Sequence, residues 1–108
     1  MQAEQQQQTF STFAEFYPYY LNEHQDARCR LLHFIGSWLV LAVIAAAIFT
    51  QNWALLWLMP VIGYGFAWVG HFFFEHNKPA TFTYPFYSLM GDWVMFKDIL
   101  IGRISIKS

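Results

Sequence analysis

Two long apolar runs dominate the chain. Leu31 to Thr50 carries no charged side chain and one histidine, His33, near its start. Trp53 to Phe74 carries none either, and its one histidine, His71, lies near its end. A helix needs roughly 20 residues to cross the hydrocarbon core of a bilayer, and each run has that reach. Only Gln51 and Asn52 separate them, which predicts a sharp turn and an antiparallel helical hairpin. Gly36, Ala42, Ala45, Ala46 and Ala47 on the first run, with Gly63, Gly65 and Gly70 on the second, allow close backbone approach. Pro60 sits mid-span, where a kink is tolerable.

The flanks have other rhythms. Residues 1–8 are glutamine-rich and read as a disordered tail. In residues 9–23, Phe10, Phe13, Phe16, Tyr17, Tyr20 and Leu21 recur at helical spacing, Thr12 and Glu15 fit a capping box, and Pro18 predicts a kink. Such an aromatic stripe suits the headgroup region, or the side of a helix packed on the rest of the protein. Pro79 stops the second span, and a loop runs through Tyr84 and Pro85. Residues 88–105 read as amphipathic, with Leu89, Trp93, Phe96, Leu100 and Ile104 on an apolar face and Gly91, Asp92, Asp98, Gly102 and Ser105 on a solvated one. Its charges make this an interfacial helix rather than a third span. The fold class expected is an all-α membrane protein: a two-span transmembrane hairpin flanked by amphipathic interfacial helices, one membrane domain over residues 9–108.

Composition strengthens the membrane reading. Of the 108 residues 56% are hydrophobic, 21% aromatic and only 12% charged, against about 25% charged in a soluble domain. So small a chain has much surface for its volume, and lipid is the simplest cover for it. A net charge of −1 without a basic cluster excludes nucleic acid as a partner. Cys29 is the one cysteine, so neither an internal disulfide nor a cysteine-based zinc site is available; it reads as an incidental thiol near the membrane surface. The first thirty residues lack a basic stretch followed by an apolar one, so no cleavable signal peptide is expected. Arg28 and Arg30 precede the first run and Lys78, Lys97, Arg103 and Lys107 follow the second, while the turn has no basic residue. The positive-inside rule then places both ends in the cytoplasm.

Of four histidines, His33 and His71 lie about 18 to 20 residues from the turn. At ~1.5 Å per residue, both fall roughly 28 Å from it, at one depth near the cytoplasmic interface. Glu75 follows His71 by four residues and shares its face on an α-helix. His24, nine residues before His33, would face away on one straight helix, but a bend near Gln25 and Asp26 would return it. His24, His33 and His71, with Glu75 as ligand or supporting carboxylate, make a candidate metal centre, because ionisable groups at membrane depth point to function. Non-haem iron that activates dioxygen and zinc with a bound water both fit. Each histidine also has a plain reading as an amphipathic side chain at an interface.

The blocks Tyr20-Leu21-Asn22-Glu23-His24, Arg30-Leu31-Leu32-His33-Phe34-Ile35-Gly36, Gly70-His71-Phe72-Phe73-Phe74-Glu75 and Asn77-Lys78-Pro79-Ala80-Thr81-Phe82, with Tyr84-Pro85 and Ser88 to Asp92, resemble the Mpo-one-like family over roughly residues 13–103. The resemblance implies an iron(II)-dependent dioxygenase that shortens 2-hydroxy fatty acids by one carbon, like the family's characterised member in the endoplasmic reticulum. It implies that His24, His33 and His71 bind the metal, with Glu75 close by, and it assigns nothing to His76. Arg30, near His33, is a candidate partner for the substrate carboxylate as well as a positive-inside charge. Two other classes fit the sequence: a bis-histidine haem module and a non-catalytic membrane protein that assembles through small-residue faces. A homodimer would give a two-span site lateral cover.

Overall fold

Thr12 starts the first helix: its hydroxyl accepts from the Glu15 N–H (3.2 Å), and the Glu15 carboxylate reaches back to the Ser11 N–H (3.1 Å). The reciprocal bond thus falls on Ser11, one residue earlier than the usual capping box. Helix α1 runs Phe13–Asn22 and contains Pro18. Asp26 caps the next helix by accepting from the Arg28 N–H (2.8 Å), and α2 continues unbroken from Ala27 to Thr50. Gln51 follows in the left-handed region (φ 56°), so the two-residue link is a tight turn.

The computed structural model describes residues 10–78 and 82–106. The expected tail at residues 1–8, Pro79 with Ala80 and Thr81, and Lys107 lie outside the described residues. Among the described residues the chain is all-helical, with four α-helices and no strand. After the turn, the second apolar run is not one α-helix. It opens with a 3₁₀ segment at Trp53–Trp57, continues as α3 at Leu58–Val69, and ends in a π-helical turn at Gly70–Glu75. Helix α4 spans Pro85–Leu100, with Pro85 in its first turn, where its missing N–H costs nothing.

Both Ala27–Thr50 and Trp53–Glu75 are long and apolar enough to cross a membrane. Only 22% of the apolar 18-residue window of the first and 11% of that of the second is buried within the chain. Phe49, Trp57, Val61 and Phe73 are largely exposed. The two pair in opposite sequence order: Cys29 against Gly70, Gly36 against Phe66, Val40 against Gly63. The close approach favours glycine at both crossings: a Cβ on Gly70 would come within 2.8 Å of the Cys29 sulfur, and one on Gly36 would lie a tight 3.0 Å from Phe66.

The flanking helices pack on each other. Phe16 and Tyr20 of α1 and Met95 of α4 form the buried core, each such side chain contributing roughly 1.5–3 kcal/mol. The sequence-based face of α4 is corrected. Ser88, Gly91, Met95, Phe96 and Asp98 are buried, while Leu89 and Leu100 are exposed. Of the stripe read as solvated, Gly91 and Asp98 face inward and Asp92 is partly buried, because Gly91 leaves room for the Tyr20 ring and because Asp98 and Asp92 accept from the Tyr17 and Tyr20 hydroxyls, while Gly102 and Ser105 are exposed as expected.

Candidate metal centre

Four pieces of backbone converge behind the start of α2. The chain breaks between Asn22 and Ala27, and this break carries His24 back over α2, so the bend expected near Gln25 and Asp26 is present. Arg30 holds it: its Nε donates to the His24 carbonyl, and one Nη donates to the Ser105 carbonyl (2.8 Å). His33 lies two turns into α2, and His71 lies at the start of the π turn. All three rings are buried, and one ring nitrogen from each lies within 4.8 Å of the others. The planes are nearly perpendicular, 80° to 87° apart, with centroids 4.3 to 5.3 Å from one another.

Hydrogen bonding decides which nitrogens face inward. The Nδ1 of His24 lies 2.6 Å from the Tyr20 carbonyl, that of His33 2.9 Å from the Cys29 carbonyl, and that of His71 2.7 Å from the Asn77 Oδ1. The two backbone carbonyls can only accept, so His24 and His33 carry their proton on Nδ1, and the Asn77 oxygen sets the same tautomer in His71. Every Nε2 is left with a lone pair. The Nε2 atoms of His24 and His71 are 2.8 Å apart. Two lone pairs at that separation repel unless a cation lies with them. Burial first, then the neighbouring His33 and His71, hold His24 well below the usual imidazole range, which disfavours a shared proton. A divalent ion with N-donor bonds of about 2.0–2.1 Å brings ligand nitrogens about 3 Å apart when they subtend a right angle. The donor set therefore fits a three-histidine metal centre, with each imidazole oriented by an outer partner as metal-binding histidines are.

The other candidate residues lie beside this cluster. Glu75 is not one of the convergent ligands, because its Oε2 accepts from the Asp26 N–H (2.5 Å) at the start of α2. In the π turn each turn takes up more residues, so Glu75 is rotated relative to His71 away from the direction that α-helical spacing gives it. Arg30 is buried, with two of its N–H groups committed to backbone carbonyls behind His24. His76 adopts the left-handed conformation (φ 59°) that ends the helix and stays outside the cluster. Cys29 is fully buried between Gly70 and His33.

A match to the family described as 2-hydroxy-palmitic acid dioxygenase Mpo1-like covers residues 10–104. The chain belongs to the Mpo1-like family. Searches of curated proteins and of solved structures each return no match. The matched Mpo1-like region contains all three histidines and every partner that orients them.

Two residues that sequence reasoning missed complete the picture. Asn77 orients His71 and donates through Nδ2 to the Glu23 carbonyl (3.1 Å) and carboxylate (3.2 Å). Nothing in its spacing marked it; the only signal was its place in the motif after Glu75. Tyr20 stacks on His24 at 3.9 Å and donates its hydroxyl to Asp92. Asp92, read from sequence as solvated, instead lines a cleft of about 220 Å³ that opens from His33 between α2, α3 and α4. Burial pushes its carboxyl up to about 7, although the Tyr20 hydroxyl works in the opposite direction. A bis-histidine haem needs two ring nitrogens on opposite faces of a flat macrocycle. Here His24 and His71 present theirs to one point, with His33 beside them.

Proposed function

We propose that this chain is a membrane-embedded iron(II) dioxygenase that shortens 2-hydroxy fatty acids by one carbon. The observation that carries the proposal is the convergence of ring nitrogens from three buried histidines to within 4.8 Å of one another, in a chain of the Mpo1-like family. His24, His33 and His71 would hold the metal. Iron(II), when bound, would supply the activation of dioxygen, which protein side chains cannot.

The residues of the chain do the rest. Three neutral imidazoles bring no negative charge to a divalent ion, and no carboxylate joins them among the described residues. The site therefore favours an anionic ligand, and the carboxylate and hydroxyl of a 2-hydroxy acid form a chelating pair. Arg30 fixes His24 by holding its carbonyl, and its charge adds to the pull on an acid. Glu75 ties the π turn to the start of α2 and so keeps His71 facing His33. Tyr20 covers His24 from the side of α4, and the burial of the three rings limits the water that would compete for the open positions.

The location supports the same reading. The exposed apolar faces of Ala27–Thr50 and Trp53–Glu75 suit lipid. As a hairpin with both termini cytoplasmic, the chain would hold the histidines at headgroup depth, where a fatty acid already presents its polar end. Helices α1 and α4 would then lie at the cytoplasmic interface. Cysteines introduced near each end should label from the same side; labelling from opposite sides would refute the hairpin.

The deciding experiment is metal content and oxygen uptake of protein purified anaerobically in mild detergent. Near-stoichiometric iron, with uptake that requires a 2-hydroxy fatty acid, is expected, and both should vanish in His71→Ala. Uptake that survives in His71→Ala, or firm binding of zinc but not iron, would overturn the proposal.

A further inference from the structure

The cleft at His33 extends well beyond what a metal centre needs. One end holds the polar groups His33 and Asp92; the wall beyond is formed by Val40, Gly63, Met59 and Trp93. Along α2 it runs from His33 to Val40, seven residues on, or about 10 Å at ~1.5 Å per residue. A space of about 220 Å³ holds about seven water-sized groups at ~30 Å³ each, and a methylene is of similar size. The result is a mainly apolar slot whose polar end lies at His33, one of the three clustered histidines, and Asp92.

Gly63 is the informative residue. Gly36 and Gly70 are small because a neighbouring helix leaves no room for more. A Cβ on Gly63 would meet only the Val40 side chain, at an ordinary 3.9 Å. Helix packing therefore does not require glycine there. What glycine does at position 63 is leave the slot open.

We propose that this slot is the acyl-chain subsite: it seats about the first seven methylenes beyond the polar end of the substrate, with Gly63 setting how far the chain can enter. The identity of that chain as a 2-hydroxy fatty acid rests on the dioxygenase reading; the slot itself does not. A longer chain continues past Met59 into the hydrocarbon layer. A leucine at position 63 adds four heavy atoms, roughly half of the slot at ~30 Å³ each.

The test uses 2-hydroxypalmitic acid carrying a mid-chain diazirine, photolysed on the whole protein in mild detergent, with and without iron, and the adducts mapped by mass spectrometry. Adducts on Met59, Gly63 or Trp93 are expected. Adducts confined to outward-facing Val61, Phe72 or Phe73 would overturn the subsite. Gly63→Leu should lose the adducts, keep its iron, show about a tenfold or greater drop in kcat/KM for 2-hydroxypalmitic acid, and prefer acids about four carbons shorter. Wild-type labelling and chain preference in Gly63→Leu would also overturn it. Because the map on the unmodified protein needs no variant, a Gly63→Leu protein that fails to fold leaves the question decided. Adducts in the slot without iron or oxygen uptake would sink the dioxygenase reading and leave the subsite standing. Iron and uptake with adducts outside the slot would do the reverse.

Discussion

Asn77→Ala isolates the outer support of one ligand. The side chain accepts from the His71 Nδ1–H at 2.7 Å, and its Nδ2 ties the loop to Glu23 by two bonds of 3.1 and 3.2 Å. Alanine removes both functions. The buried Nδ1–H then lacks its acceptor, which costs about 1–3 kcal/mol, and the ring is free to rotate or to move its proton to Nε2. Loss of such a partner lowers metal affinity about 10- to 100-fold, or about 1.4–2.7 kcal/mol, in the range of the unsatisfied donor. The assay is competition for iron(II) against a calibrated chelator, alongside thermal unfolding of the metal-free protein to separate ligand orientation from general loosening. Asn77→Asp keeps an acceptor for His71 but sets a carboxylate against Glu23, whose own carboxyl is already pushed up by burial and by Glu75. It should retain more affinity than alanine while unfolding at a lower temperature than wild type. Wild-type iron affinity in Asn77→Ala would refute the assignment of Nε2 as the ligand atom of His71.

Gly91→Ala would put a Cβ 2.8 Å from the Tyr20 ring, closer than the ~3.5–4.0 Å of carbon contact. Overpacking of about 1–3 kcal/mol should outweigh a helix-propensity gain of about 1 kcal/mol, lowering the unfolding midpoint and shifting His24 through its stack on Tyr20. Gly65→Ala, with nothing within 4 Å, should be neutral or stabilising by up to about 1 kcal/mol, and equal behaviour of the two variants would refute this packing. Asp92, raised to about 7, favours the folded state while protonated: that contribution is complete below about pH 4, falls as pH rises, and is lost above about 7. Between pH 8 and pH 6, wild type should therefore gain stability relative to Asp92→Asn; a parallel pH dependence would show that Asp92 stays ionised. His24, held low by burial, acts oppositely, contributing above about pH 6.5 and losing its contribution as pH falls, so the difference between the two proteins, not the raw curve, is the quantity to read.

What the sequence made legible, and what it hid, follows physical lines. The two apolar runs, the tight link at Gln51 and Asn52 and the juxtaposition of His33 with His71 are consequences of counting residues, and the structure has them. The return of His24 depended on a chain break that Asp26, a good helix cap, made legible. The π turn was not legible, because a single extra residue per turn leaves no periodic trace over six residues; it is what separates Glu75 from the histidines. The inward face of α4 was misread because polarity usually marks the wet side of a helix. Here Gly91 and Asp98 are buried and Asp92 partly so, against partners supplied from α1, and no pattern within α4 announces tyrosine hydroxyls elsewhere.

The three outer partners of the histidines are not alike. His24 and His33 each rely on the carbonyl four residues back, at Tyr20 and Cys29, which belongs to the backbone and is present whatever side chain stands there. His71 relies on a side chain, that of Asn77. Two of the three outer acceptors are thus supplied by the backbone whatever the side chain, while the third hangs on one codon. A lineage, or an engineer, seeking to change the acceptor behind one of these histidines by a side-chain exchange has a single dial, and it sits just after the π turn rather than within a helix.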